Sequence, residues 1–162
     1  MKTMDDLFYA LLQDVYYAEK QLLKALAKMA KKSSNPKLEQ AFTDHRAETE
    51  GQIARLEQVF EMLDKRARGK KCDAILGIVA EGEEVIEEAE DDEVLDAGLI
   101  GAGQAAEHYE IARYGTLVAW AKQLGKPQIA RLLHQTLEEE KKADALLTQI
   151  AESQVNPAAR SA

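Results

Sequence analysis

The residues best placed to do chemistry in this chain are acids and one imidazole set into apolar helical stripes. Glu19 has Val15, Tyr16, Leu22 and Leu23 three and four positions away, so every helical ridge around it is apolar or aromatic. Asp14 is flanked in the same way by Ala10, Leu11, Tyr17 and Ala18. Further on, His45, Glu48 and Gln52 follow Phe42 on the line that leads to Leu56. Glu107 and Glu110 stand one helical turn apart, and so do Glu140 and Asp144. Taking an ionised carboxylate out of water is costly unless a proton, a cation or a metal ion meets it. Taken singly, an acidic residue on a helix is usually solvated. Several at matching levels of packed helices instead form an oxygen-rich donor cluster.

The elements that must position these residues are helices. Apolar residues at three- and four-residue steps, from Leu7 through Leu11, Val15, Leu22 and Leu26 to Met29, predict a helix from Thr3 to about Lys31. Ser33-Ser34-Asn35-Pro36 supplies a turn, an N-cap and a proline at the first position of a second helix running to about Asp64. Residues 65–71 are basic and contain Gly69, which reads as an exposed connection. A shorter helix is expected from about Asp73 to Glu90, with a dense run of glutamates on its outer side. Asp91-Asp92 then caps a long helix from about Glu93 to Leu124. Gly125-Lys126-Pro127 breaks it off, and a last helix runs to about Ser153. Two short turns give two antiparallel hairpins, and the long connection leaves the fourth helix free to run parallel or antiparallel to the second. The expected fold is all-α: a ferritin-like four-helix bundle with a short extra helix in the crossover, one domain over residues 1–155 and a frayed tail at 156–162.

Antiparallel helices place residues equally distant from their joining turn at the same height. Glu19 lies fifteen residues before residue 34 and Glu48 fourteen after it, and Glu110 and Glu140 are similarly disposed about the turn at Gly125-Lys126. The same count pairs Asp14 with Gln52 and Glu107 with Asp144, roughly one turn further along. A shift of 91 or 92 residues carries Glu19 and Glu48 onto Glu110 and Glu140, a weak internal repeat. Two helical hairpins contributing one carboxylate per helix is how di-iron and di-manganese sites are assembled in such bundles. Oxygen donors with a little imidazole suit Fe or Mn. The expected metal ligands are Asp14, Glu19, His45, Glu48, Glu107, Glu110, Glu140 and Asp144, holding two ions per chain, with Glu48 and Glu140 bridging and Glu19 and Glu110 terminal. Glu138 and Glu139 are expected at the surface, since consecutive residues cannot all face one core.

Composition narrows the partners. With 29 acidic against 21 basic residues the net charge is −8, which disfavours nucleic acid and anionic lipid and favours cations. The single cysteine, Cys72, forms no intrachain disulfide and suits a reducing compartment, so a cytoplasmic location is expected. No secretion-signal pattern or run of membrane-spanning length is evident.

Asp14-Val15-Tyr16-Tyr17-Ala18-Glu19-Lys20-Gln21-Leu22, Glu48-Thr49-Glu50-Gly51-Gln52, Lys71-Cys72-Asp73-Ala74, Ala80-Glu81-Gly82 and the segment from Glu107 to Gly115 resemble the YciF-like family of bacterial stress proteins across nearly the whole chain. That resemblance implies a ferritin-like fold, frequent dimerisation and a role in stress response. Well-characterised ferritin-like centres carry Glu-x-x-His on the second and last bundle helices. Here Gly51 and Ala143 follow Glu48 and Glu140 at that spacing, which leaves His45 and Asp144 to complete an altered shell. Two functional readings follow: a di-metal protein that meets oxygen or peroxide, and a non-enzymatic, dimeric or partner-binding stress protein without a metal. Surplus apolar residues, Phe8, Leu12, Val118 and Trp120, also suggest a second buried surface and hence a homodimer.

Overall fold

In the computed structural model, which describes all 162 residues, the chain is helical throughout: α1 Met4–Lys32, α2 Pro36–Met62, α3 Asp73–Glu88, α4 Asp92–Gln123 and α5 Pro127–Ile150. A five-residue π-helical segment, Ala151–Val155, then leads into a short α6, Asn156–Ala159. The helix starts follow local chemistry. Thr3 and Asp6 form a reciprocal capping box on α1. Asn35 accepts from the amides of Lys37 and Leu38 ahead of Pro36, and Asp91 accepts from Val94 N. The end of α4 needs Gly125, whose φ of 68° lies in the left-handed region, so that Lys126 N can donate back to Ala121 O at 2.8 Å.

α1 pairs with α2 and α4 with α5, while α1 also packs on α4 and α2 on α5. Ser34, at the C-terminal end of α1, bonds to Asp96 near the start of α4, and Lys126 before α5 pairs with Asp5 at the start of α1. α4 therefore runs antiparallel to α1 and parallel to α2, an up-down-down-up bundle. α3 lies in the crossover against α4 and α1, burying Ile75 with Ala18, Leu22, Cys72 and Ala106.

The apolar core is in two parts. One, at the end where α1 begins, gathers Phe8, Leu12, Val15, Phe60, Tyr114, Leu117 and Leu133; the other gathers Leu26, Leu38, Phe42, Leu99, Leu147 and Ile150. Phe8, Leu12 and Val118 belong to the first core and Trp120 packs against it, so the residues that suggested a second buried surface are consumed inside one chain. Val155, the last residue expected in the domain, is buried in the second core, and the short α6 follows it. No helix is long and apolar enough to cross a membrane.

Asp96, which reads in sequence as an ordinary acid of a helix start, is buried and ties the two hairpins together. Its carboxylate accepts from Ser34 N at 2.9 Å, Ser34 Oγ at 2.6 Å and Asn35 N at 2.8 Å. Removing it takes the acceptor from two backbone donors at a part-buried helix junction, so Asp96→Ala is expected to cost about 1–2 kcal/mol in urea unfolding. A loss under about 0.5 kcal/mol, the range of an ordinary surface substitution, would show that the junction does not depend on it.

Candidate functional site

Between the two apolar cores lies one polar layer. The inward ridge of each long helix changes character there: α1 runs Val15, Glu19, Leu22; α2 runs Phe42, His45, Thr49, Gln52, Leu56; α4 runs Gly103, Glu107, Glu110, Tyr114; α5 runs Leu133, Thr136, Glu140, Leu147, and every residue named on these ridges is buried. Gly103 marks a close approach, since a Cβ there would meet Leu147 Cδ1 and Phe42 Cε1, each at 3.2 Å.

His45 stands at the centre. Its Nε2 is 3.1 Å from Glu107 Oε1 and 3.3 Å from Glu140 Oε2, and its Nδ1 is 3.2 Å from Glu48 Oε2. One donor atom each from His45, Glu107, Glu110 and Glu140 falls within 4.8 Å of the others. Glu19 closes the layer from α1 and accepts from the Tyr114 hydroxyl. Gln52 Nε2 donates to Glu140 Oε1 and to Glu139 Oε2. Hydrogen bonding is nonetheless incomplete. Glu19 Oε2, Gln52 Oε1, Glu107 Oε2, Glu110 Oε1 and Glu140 Oε2 are buried without a partner, and every such orphan in the molecule belongs to this layer. Glu140 Oε2 has only His45 Nε2, at 3.3 Å, for a nearby cationic group.

The electrostatics follow from crowding. Burial, then the charge of Glu140, pushes the Glu19 carboxyl well above its ordinary range, and burial with Glu19 and Glu140 does the same to Glu110. Glu107 rises to about 8, burial outweighing the help it gets from His45. Glu140 goes the other way: burial opposes ionisation, but His45 and hydrogen bonds from the neighbouring carboxyls hold it below the usual carboxylate value. Burial disfavours the imidazolium too, yet contacts with Glu107, Glu140 and Glu48 overcome it and keep His45 charged. Without a metal, the layer is thus an imidazolium and a carboxylate amid protonated acids.

Of the eight residues expected as ligands, the structure brings together Glu19, His45, Glu107, Glu110 and Glu140. Glu48 is half-exposed and touches only the outer nitrogen of His45. Asp14 lies 3.7 Å from Lys70, and Asp144 is shared between Gln104 and the exposed His108, both outside the layer. Glu139, expected at the surface, is largely covered and held by Arg55 through two bonds of 2.9 and 3.0 Å. Cys72 is free and buried just before α3, with Sγ 3.1 Å from the Tyr109 hydroxyl.

The donor set passes a chemical test for a metal. Four buried carboxylates and one imidazole converge from four helices, the mix that suits Fe or Mn. Glu48 on Nδ1 leaves Nε2 facing the carboxylates, the arrangement in which an outer acid orients a histidine ligand. Beside the layer a cavity of about 200 Å³ opens between α2 and α5, lined in part by Phe42, His45, Glu107, Ala143 and Leu146. Ala143 is the position at which well-characterised ferritin-like centres place a histidine.

A family model described as a domain of unknown function, DUF892, matches residues 3–160. Protein YciF of Escherichia coli strain K12 is 53% identical over 157 residues, covering 96% of this chain and 95% of its own length. The crystal structure of the E. coli stress protein YciF superposes with a TM-score of 0.92 over 96% of this chain and 99% of its own. The structure of YcfI from Rhodopseudomonas palustris, 48% identical, gives 0.89 over 91% and 94%.

Proposed function

Because the chain belongs to the YciF-like DUF892 family, we propose that it is a stress-response protein whose bundle core holds a pair of Fe or Mn ions on Glu19, His45, Glu107, Glu110 and Glu140. The observation that carries this reading is that all the orphaned buried polar atoms of the molecule lie in one layer around a convergent oxygen and nitrogen donor set. Buried carboxylates left unpaired are expensive, and divalent cations relieve that cost. Glu107 takes the central role that height alone assigned to Glu48, while Glu48 becomes the acid that orients His45. Bound there, such ions supply redox chemistry toward oxygen or peroxide. The chain's own part is to hold the donors, keep bulk water out with an apolar core on either side, and admit small molecules beside His45 and Glu107.

The alternative, a scaffold whose carboxylates are satisfied internally, accounts less well for the layer. Tyr114 and Gln52 each satisfy one oxygen, and the others can be met from within the layer only by trapping protons on Glu107 and Glu110 that bond to Glu140. Dimerisation rests on the family resemblance alone once Phe8, Leu12, Val118 and Trp120 are placed in the core.

Metal analysis of protein purified without chelator or affinity tag tests the reading. We expect about two Fe or Mn per chain, lost in Glu107→Ala and Glu140→Ala variants that keep their helical circular dichroism. Metal-free protein that takes up neither ion on titration would sink it.

A further inference from the structure

The metal reading leaves one buried device unused. Arg55 on α2 grips Glu139 on α5 with both terminal nitrogens, and one of them also reaches Thr136 Oγ1. Gln52, one turn before Arg55 and fully buried, extends its amide nitrogen to Glu139 and to Glu140 at once. Arg55 and Glu139 cancel each other's charge, so the pair orients its neighbours without altering the charge of the layer. A guanidinium fork fixes a carboxylate in plane as a point charge cannot. The consequence passes along a chain of contacts: Arg55 fixes Glu139, Glu139 fixes the Gln52 amide, and Gln52 holds Glu140 Oε1. Glu140 Oε2 is thereby left orphaned at 3.3 Å from His45 Nε2, facing into the donor set.

We propose that Gln52, Arg55 and Glu139 form a charge-neutral clamp that positions Glu140 as a metal ligand. The inference rests on the metal reading above and deepens it: Glu140 is presented with one oxygen occupied and one free. Partners of this outer kind are worth about 10- to 100-fold in metal affinity. Their loss does not change the number of donors, so affinity falls while stoichiometry stays.

The test is calorimetric titration of the metal-free, full-length chain with Mn(II), with melting temperature as the control for folding. Gln52→Leu is expected to bind the same number of ions as wild type with about 10- to 100-fold weaker affinity. Arg55→Lys, which keeps the charge and loses the fork, should fall between the two. Arg55→Lys combined with Gln52→Leu should be little weaker than Gln52→Leu alone, because the arginine acts through the amide. A purely structural role would instead lower the melting temperature of each variant and leave Mn(II) affinity at the wild-type value, which overturns the clamp. Additive losses in the double variant overturn the relay. Wild type that binds no Mn(II) overturns the metal reading and the clamp with it, whereas wild type that binds as tightly as the variants overturns the clamp only.

Discussion

Metal-free protein should lose stability as the pH is raised from about 6 to 9, and Glu19→Gln/Glu110→Gln should lose clearly less over the same range, the remainder coming from Glu107 and His45. The groups that face one another in the layer are Glu19 from α1, His45 and Glu48 from α2, Glu107, Glu110 and Tyr114 from α4, and Glu140 from α5. Glu107 has its pKa raised from 4.5 to about 8, so the stability it contributes is present in full below about 4.5 and is lost as pH rises through 8. Glu19 and Glu110, raised by burial and by each other's neighbours, lose theirs in the same direction. His45 is raised as well, so its contribution is complete below about 6.5 and declines above. Glu140 is lowered, and its contribution is lost only as pH falls below about 4.5. For these groups the maximum therefore lies near pH 4.5, where the raised acids are still protonated and Glu140 is already ionised. One pKa unit corresponds to about 1.4 kcal/mol, so the rise of Glu107 to about 8 alone is on the order of several kcal/mol. A carboxamide mimics the protonated acid and keeps an oxygen for Tyr114 to donate to, but has no proton to lose. At pH 8.5 the double variant should melt higher than wild type by about 5 °C or more. Thermal melts across pH in the presence of chelator check this. A flat wild-type profile would mean that the layer opens to water and never holds its acids neutral.

How much of this site was legible from sequence depends on which coordinate is asked for. Height along the bundle is countable from turns, and it placed Glu19, Glu110 and Glu140 at one level, where the structure has them. Azimuth is not. The inward ridge of α2 steps by three and four residues through Phe42, His45, Thr49, Gln52 and Leu56, and passes beside Glu48. A residue at the right height on the wrong side of that ridge cannot enter the layer, which is why Glu48 ends against the outer nitrogen of His45. Glu107 and Asp144 show the converse. Assigned together to a second layer, they separate because α4 turns Glu107 inward while Asp144 lies at the bundle's edge with Gln104 and His108. Helix boundaries were legible within two or three residues because caps, prolines and glycines are local signals. Asp96 and the Arg55–Glu139 grip were not, because their partners lie 61 to 84 residues away and no periodicity marks them.

Mn(II) or anaerobic Fe(II) should reverse the order of stability between the two proteins. Divalent ions compete with protons for the same oxygens, so affinity grows as pH rises through the range in which Glu107 and its neighbours ionise. The condition that most destabilises the empty layer is therefore the one in which it binds most tightly. Ion binding to the native state alone adds about 2.7 kcal/mol at a hundredfold excess over Kd, which corresponds to roughly 5–10 °C in a domain of this size. At pH 8.5 wild type with Mn(II) should melt above Glu19→Gln/Glu110→Gln with Mn(II), although it melts below that variant in chelator. At pH 5.5 the metal-induced rise should be small in both. The crossing separates binding in the core from binding elsewhere, since the glutamates of α3, among them Glu84, Glu87 and Glu88, offer ions an acidic outer surface. Ions held there would raise the melting temperature of both proteins equally, because the two substitutions leave α3 untouched. A rise confined to wild type and growing with pH places the ions on the buried donors.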